Sequence, residues 1–200
     1  MGANASAQMA FDKAQGAVTA ATGGITKCMS KDTGQVDESM GIPPVTFGLH
    51  SKGVEINDMR VSAEGVALAC EAISQDKGYF ECKIIKTGSW AVGVCRQESH
   101  AHDDLSQAGA SWSLSSEKCE CLQGDMLGIA YDQTSMPTTL KFYKNGELVD
   151  AEVTGIRGEV YPAVCVSGGS VIECEFDGDN GFAYPPPAGF SGIMGSRSLM

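Results

Sequence analysis

The chain has 200 residues, 42% of them hydrophobic, with 14 Lys and Arg against 25 Asp and Glu for a net charge of −11. That length and apolar content provide one domain with a real core. The acidity, with no Lys/Arg cluster anywhere, excludes nucleic-acid phosphates and anionic lipid surfaces as electrostatic ligands.

Residues 1–43 are rich in Ala, Gly, Thr and Ser and hold no period for long, which predicts a flexible arm with a short helix around Ala7 to Ala17. No apolar stretch of signal-peptide type occurs, since Asp12 and Lys13 interrupt the first thirty residues. The opening "MGANAS" fits the pattern for N-myristoylation of Gly2. A single myristoyl chain binds membranes weakly and reversibly, and no neighbouring Cys or polybasic patch reinforces it. The expectation is a monomeric cytoplasmic protein, in part at membranes.

From Pro43-Pro44 onward the texture is that of β-strands. "VTFGLH" and "GVEI" are short strands separated by a turn at Ser51-Lys52-Gly53, and "VALAC" follows. In "YFECKII", Phe80, Cys82 and Ile84 alternate with Glu81 and Lys83; "WAVGVC" sets Trp90, Val92 and Val94 on one face. "SWSLS" and "MLGIAY" repeat the alternation. In "LKFYKNGELV", Asn145-Gly146 is the favoured pair for a type I′ turn, which needs φ > 0 at both positions. Lys144 and Glu147 are expected to flank it as an opposite-charge pair. "VYPAVCV" is almost continuously apolar and predicts a strand buried on both faces. "SVIECEF" sets Ile172, Cys174 and Phe176 against a solvated Glu173 and Glu175, and the prolines of "YPPPAGF" end the ladders. Many short strands without a strong helix predict an all-β antiparallel sandwich.

The eight cysteines are Cys28, Cys70, Cys82, Cys95, Cys119, Cys121, Cys165 and Cys174. With no signal peptide and with Cys82 and Cys174 at inward strand positions, they are read as reduced thiols of an intracellular protein.

Taken in order, "GYFECKII", "GSWAVGVC", "GDMLGIAYD", "LKFYKNGEL", "GEVYPAVCV" and "ECEF" resemble a SPRY domain, from about Val45 to Ile193. The resemblance implies a bent two-sheet sandwich of the concanavalin-like jelly-roll type over 44–195, an arm at 1–43 and a tail at 196–200. It implies recognition of a protein or peptide partner by rim loops, without catalysis or cofactor. By alignment those loops are Cys70 to Asp76, Glu98 to Leu105, and Ser167 to Ser170. The expected partner-binding residues are Glu71, Asp76, His100, His102, Asp103, Asp104, Ser167, Gly168 and Gly169 on one acidic rim. The third loop, "SGGS", carries no aromatic anchor, and His100 and His102 stand where peptide-binding members use Tyr. Their peptide specificity is therefore not carried over. The segment between "SWSLSS" and "LQGD" is also short, lacking a hairpin that many members have.

Two rival readings are a zinc protein and a lectin-like sandwich. His100 and His102 with Cys119 and Cys121 supply a Cys₂His₂ set, provided the pairs meet. Sugar stacking requires Trp90 or Trp112 to be exposed, whereas in a sandwich both belong to the core. No G-x-S-x-G elbow is present, and Asp125 is expected to accept backbone N–H groups at a turn.

Overall fold

The computed structural model describes residues 43–101, 104–105 and 110–195. The arm at 1–42, including Gly2 and Cys28, lies outside the described residues, as do His102, Asp103 and the tail at 196–200.

Two antiparallel sheets face each other. The five-stranded sheet has the order β1 (Phe47–His50), β4 (Gly65–Ala69), β11 (Tyr161–Ser167), β6 (Ser89–Cys95), β7 (Ser111–Ser115). The second sheet runs β10 (Glu147–Thr154), β9 (Thr139–Lys144), β8 (Met126–Asp132), β5 (Lys77–Lys86), β12 (Val171–Glu175), β3 (Arg60–Ala63), β2 (Val54–Asn57). A two-residue β13 (Ser191–Gly192) runs parallel to the start of β5. The alternating apolar positions meet between the sheets. Trp90, Val92, Val94, Val164 and Val166 face Phe80, Cys82, Ile84, Leu127, Ile129, Phe142 and Ile172. Trp90 is buried and Trp112 packs half-buried on the same core, so neither is the exposed platform that the lectin reading required.

The expected turn at Lys52-Gly53 is present and carries the chain from one sheet to the other, since β1 belongs to the first and β2 to the second. Other elements differ from expectation. β3 was missed, being only four residues with a polar sequence, RVSA. Glu81 is 2% exposed rather than solvated, because the chain after β12 crosses this outer face. Glu175 turns onto Gly178 N–H (3.0 Å) and Asn180 Nδ2 (3.1 Å) and caps the turn that follows. Burial pushes its carboxyl up.

The Asn145-Gly146 turn has φ of 52° and 84°, as type I′ requires. Lys144 pairs with Asp125 (3.0 Å) rather than with Glu147, although Glu147 is its register partner. Asp125 also takes the Leu122 N–H (2.8 Å) and Asn145 Nδ2 (2.9 Å), while Asn145 Oδ1 accepts Met126 N–H (2.8 Å). One asparagine thus supplies the turn conformation and ties the turn to the start of β8.

The described cysteines are free; Cys82 and Cys174 face each other across β5 and β12 with their Sγ atoms 3.3 Å apart.

Candidate partner-binding rim

Strand direction decides which loops are neighbours. β11 pairs antiparallel with both β4 and β6, so Tyr161 lies beside Cys95 and Ser167 beside Ser89. The loops leaving β4 (70–76) and β6 (96–110) therefore emerge at the end where β11 begins. Ser167, Gly168 and Gly169 turn at the opposite end. There Ser170 Oγ donates to the Ser89 carbonyl (2.7 Å), and Ser167 N–H donates to Ser170 Oγ (3.2 Å). The sequence alignment grouped these residues with Glu71, Asp76 and His100; the length of β11 separates them. They form a tight turn, with Gly168 and Gly169 at positive φ.

The third loop of the rim is instead 155–160, which the "GIRGEVYPAV" motif contains. Hydrogen bonds bind it to the other two. Ile73 N–H donates to the Val160 carbonyl (2.9 Å), and Arg96 donates through Nε and Nη2 to the Arg157 carbonyl (both 3.3 Å). Arg96 N–H closes the base of the 96–110 segment on the Ala110 carbonyl (3.0 Å). Asp76, Glu98, Arg157 and Glu159 are exposed around this frame, and Glu71 is half-buried. Glu98 is 3.9 Å from Arg96, and Tyr161 donates to Glu159 (2.7 Å). Burial, then the bond to Glu159, pushes the Tyr161 phenol up to about 12. The rim thus alternates anionic and cationic groups instead of being uniformly acidic. Arg157, Glu159 and Tyr161 were missed. Their signal was a charged, glycine-flanked loop directly before the most apolar strand.

On the other side of the same rim, Gln133 Nε2 donates to the Gln75 carbonyl (2.8 Å), and Gln75 holds Gly192 and Met194 through its side-chain amide. Met136 on the adjoining 132–139 loop is 99% exposed. The chain enters the domain at this rim too, where Val45 N–H donates to Asp177 (2.7 Å) and Phe47 pairs with Ala69.

The segment 96–110 is more than a rim loop. Its first part is a 3₁₀ turn, Gln97–Ala101, in which His100 Nδ1 lies 2.6 Å from the Gln97 carbonyl. Leu105 is fully buried in a second cluster with Val66, Leu68, Ala91, Cys95, Ala163 and Cys165, on the outer face of the five-stranded sheet. Ser111 Oγ donates to the Leu105 carbonyl and fixes the return. This cover explains why β11 is apolar on both faces. Asp104, beside Leu105, is half-buried.

The zinc reading fails on placement. β6 and β7 pair Cys95 with Ser111 and Ala91 with Ser115, so Cys119 and Cys121, which follow Ser115, lie at the far end of the sandwich from His100. The two thiols touch each other at 3.9 Å, and burial followed by the neighbouring Cys119 pushes Cys121 up to about 12. No group of three His, Cys, Asp or Glu suited to a metal occurs among the described residues.

A two-sheet antiparallel sandwich whose loops gather at one rim defines the fold class, and function has to be argued from the site it carries. The chain belongs to the SPRY domain family, whose model matches residues 77–179. SPRY domains are generally protein-interaction modules and typically non-catalytic. The chain is 30% identical over 178 residues to SPRY domain-containing protein 7 of Gallus gallus, and 29% identical to that of Homo sapiens. Each alignment covers 79% of this chain and 87% of the relative. Among solved structures, the PSpry domain of TRIM65 shares the fold with a TM-score of 0.51 at 13% identity, over 66% of this chain and 89% of that one.

Proposed function

We propose that this protein is a non-catalytic cytoplasmic adaptor that binds a protein partner through the rim formed by 70–76, 96–101 and 155–160. The observation that carries this reading is the hydrogen-bonded frame of Ile73, Val160, Arg96 and Arg157, around which exposed Glu98, Arg157 and Glu159 are held. A preorganised charged surface costs little to order on binding. Its mixed charges favour a polar partner segment of complementary pattern and make association salt-sensitive. Asp76 and His100 border this surface, as do Glu71 and Asp104. Affinity capture with the wild type and with Arg157→Glu/Glu159→Lys, both checked for folding, tests it. The expected result is a partner set lost in the variant; an unchanged set overturns the rim assignment.

Myristoylation of Gly2 joins this reading as a reversible tether. Its support is the N-terminal signal and the entry of the chain at the rim through Val45 and Phe47. The tether would then start beside the binding surface. Intact-mass measurement of protein made in cells able to myristoylate tests the tether. An unmodified or acetylated N-terminus removes it and leaves the rim reading intact.

A further inference from the structure

The edge strand β10 carries a feature that neither the rim nor the core requires. It has a ladder partner, β9, on one side only. Its register slips along the way: Leu148 faces Tyr143, but Glu152, not Asp150, faces Lys141. Val149, Asp150 and Ala151 therefore stand against Phe142 alone. This bulge borders a cleft of about 190 Å³ lined by Lys141, Leu148, Val149, Asp150, Ala151 and Glu152.

The lining is chemically lopsided. Leu148 is 63% exposed, an unusual position for a leucine on an edge strand. Lys141, the single cation, is 3.5 Å from Glu152 and is thereby neutralised. The Asp150 carboxylate has neither a hydrogen bond nor an ion pair among the described residues, and the same holds for the carboxylate of the exposed Glu147 at the start of the strand. Bulges and charges protect edges from uncontrolled strand addition, and acidic charge in particular repels a second copy of a chain with net charge −11. The same features welcome a cation that brings its own aliphatic stem. We propose that the β10 bulge, where exposed Leu148 adjoins unpaired Asp150, is a docking cleft for an Arg or Lys on an extended basic segment of a partner protein. The stem of that residue lies on Leu148 and its charge meets Asp150, while Val149 and Ala151 pack toward the core and hold the bulge in place. Leu148 lies toward the Asn145-Gly146 end of the sandwich, away from the rim loops, so the two surfaces are independent.

The test uses a short synthetic peptide alternating arginine with valine, its glutamate counterpart as control, and backbone amide shifts of the isotope-labelled full chain. Saturable shifts at Leu148 to Glu152, absent with the glutamate peptide, are expected. Asp150→Lys should weaken binding about tenfold, whereas Glu117→Lys, the same charge change on an exposed residue elsewhere, should change it little. Arg157→Glu/Glu159→Lys should still bind the peptide, which separates this cleft from the rim. Equal losses in Asp150→Lys and Glu117→Lys, shifts confined to other surfaces, or no saturable binding would each overturn the proposal.

Discussion

The carboxylate of Glu81 receives the backbone N–H of Ala183 at 2.6 Å, although 102 residues separate them in sequence. Its other oxygen takes Tyr184 N–H (3.1 Å) and the Tyr79 hydroxyl (3.0 Å). Burial, and then the Glu81 charge, pushes the Tyr79 phenol well above its usual range. Between the end of β12 at Glu175 and the short β13 the chain makes no ladder, yet it stays on the sheet because this buried acceptor holds it; Phe182 packs edge-on to Tyr79 with ring centres 5.0 Å apart.

Glu81→Ala should therefore destabilise by about 2–4 kcal/mol, since three donors lose their acceptor at once. Amide exchange at Ala183 and Tyr184 should accelerate beyond the global change. An unaltered melting temperature would show that the segment is held by its apolar contacts alone.

Leu105 gives a second test of packing. If 96–110 served only as an exposed loop, truncating this side chain would cost little. Buried over Val66, Leu68, Ala163 and Cys165, Leu105→Ala should cost about 2–5 kcal/mol. Chemical denaturation reads this directly. The thiol of Cys95, pushed up to about 12 mainly by burial, should also become more reactive toward a maleimide as the cover loosens.

The hairpin predicts a pH dependence. Asp125 is held down to about 2, first by Asn145 Nδ2, then by the Leu122 N–H, with Lys144 adding to both. A carboxylate whose folded pKa lies below its unfolded value contributes stability that is present above the unfolded value, and loses it as pH falls through the folded one. The contribution should thus be complete above about pH 4 and fade toward pH 2. Asp125→Asn should flatten the stability profile in that window. A profile identical to that of the parent would remove the network's role.

Much of the fold was legible because its signals are local. Alternation marked β5, β6, β8 and β12, and Asn145-Gly146 marked the turn. What escaped depends on distant chain. Glu81 reads as solvent-facing until 177–190 covers it. The turn between β1 and β2 is local, but that it joins two different sheets is known only from their ladders. The 96–110 segment reads as polar, with Leu105 the one sign that it covers a sheet. The site suffered most from this, since which loops share an end follows from strand direction and not from any residue type. Motif order placed "SGGS" on the rim; the antiparallel pairing of β11 with β4 and β6 puts it at the other end.

That correction yields a prediction that separates the two ends of the molecule. Ser167 and Tyr161 bound the same strand, so substitutions beside one leave the geometry around the other intact. Gly168 and Gly169 have φ of 59° and 79°, so asparagine, which tolerates the left-handed region best among residues with a Cβ, is the substitution least disruptive there. Gly169→Asn should leave partner capture unchanged, and any loss of stability should be well under that of a core truncation. Arg157→Glu acts differently. The Arg157 carbonyl that Arg96 engages is backbone and survives, while the exposed side chain reverses its charge. Melting should shift little, and partner binding should fall with a smaller salt dependence than the parent shows. Capture lost in Gly169→Asn but kept in Arg157→Glu would place the binding surface at the far end of the sandwich, where the sequence motifs first put part of it.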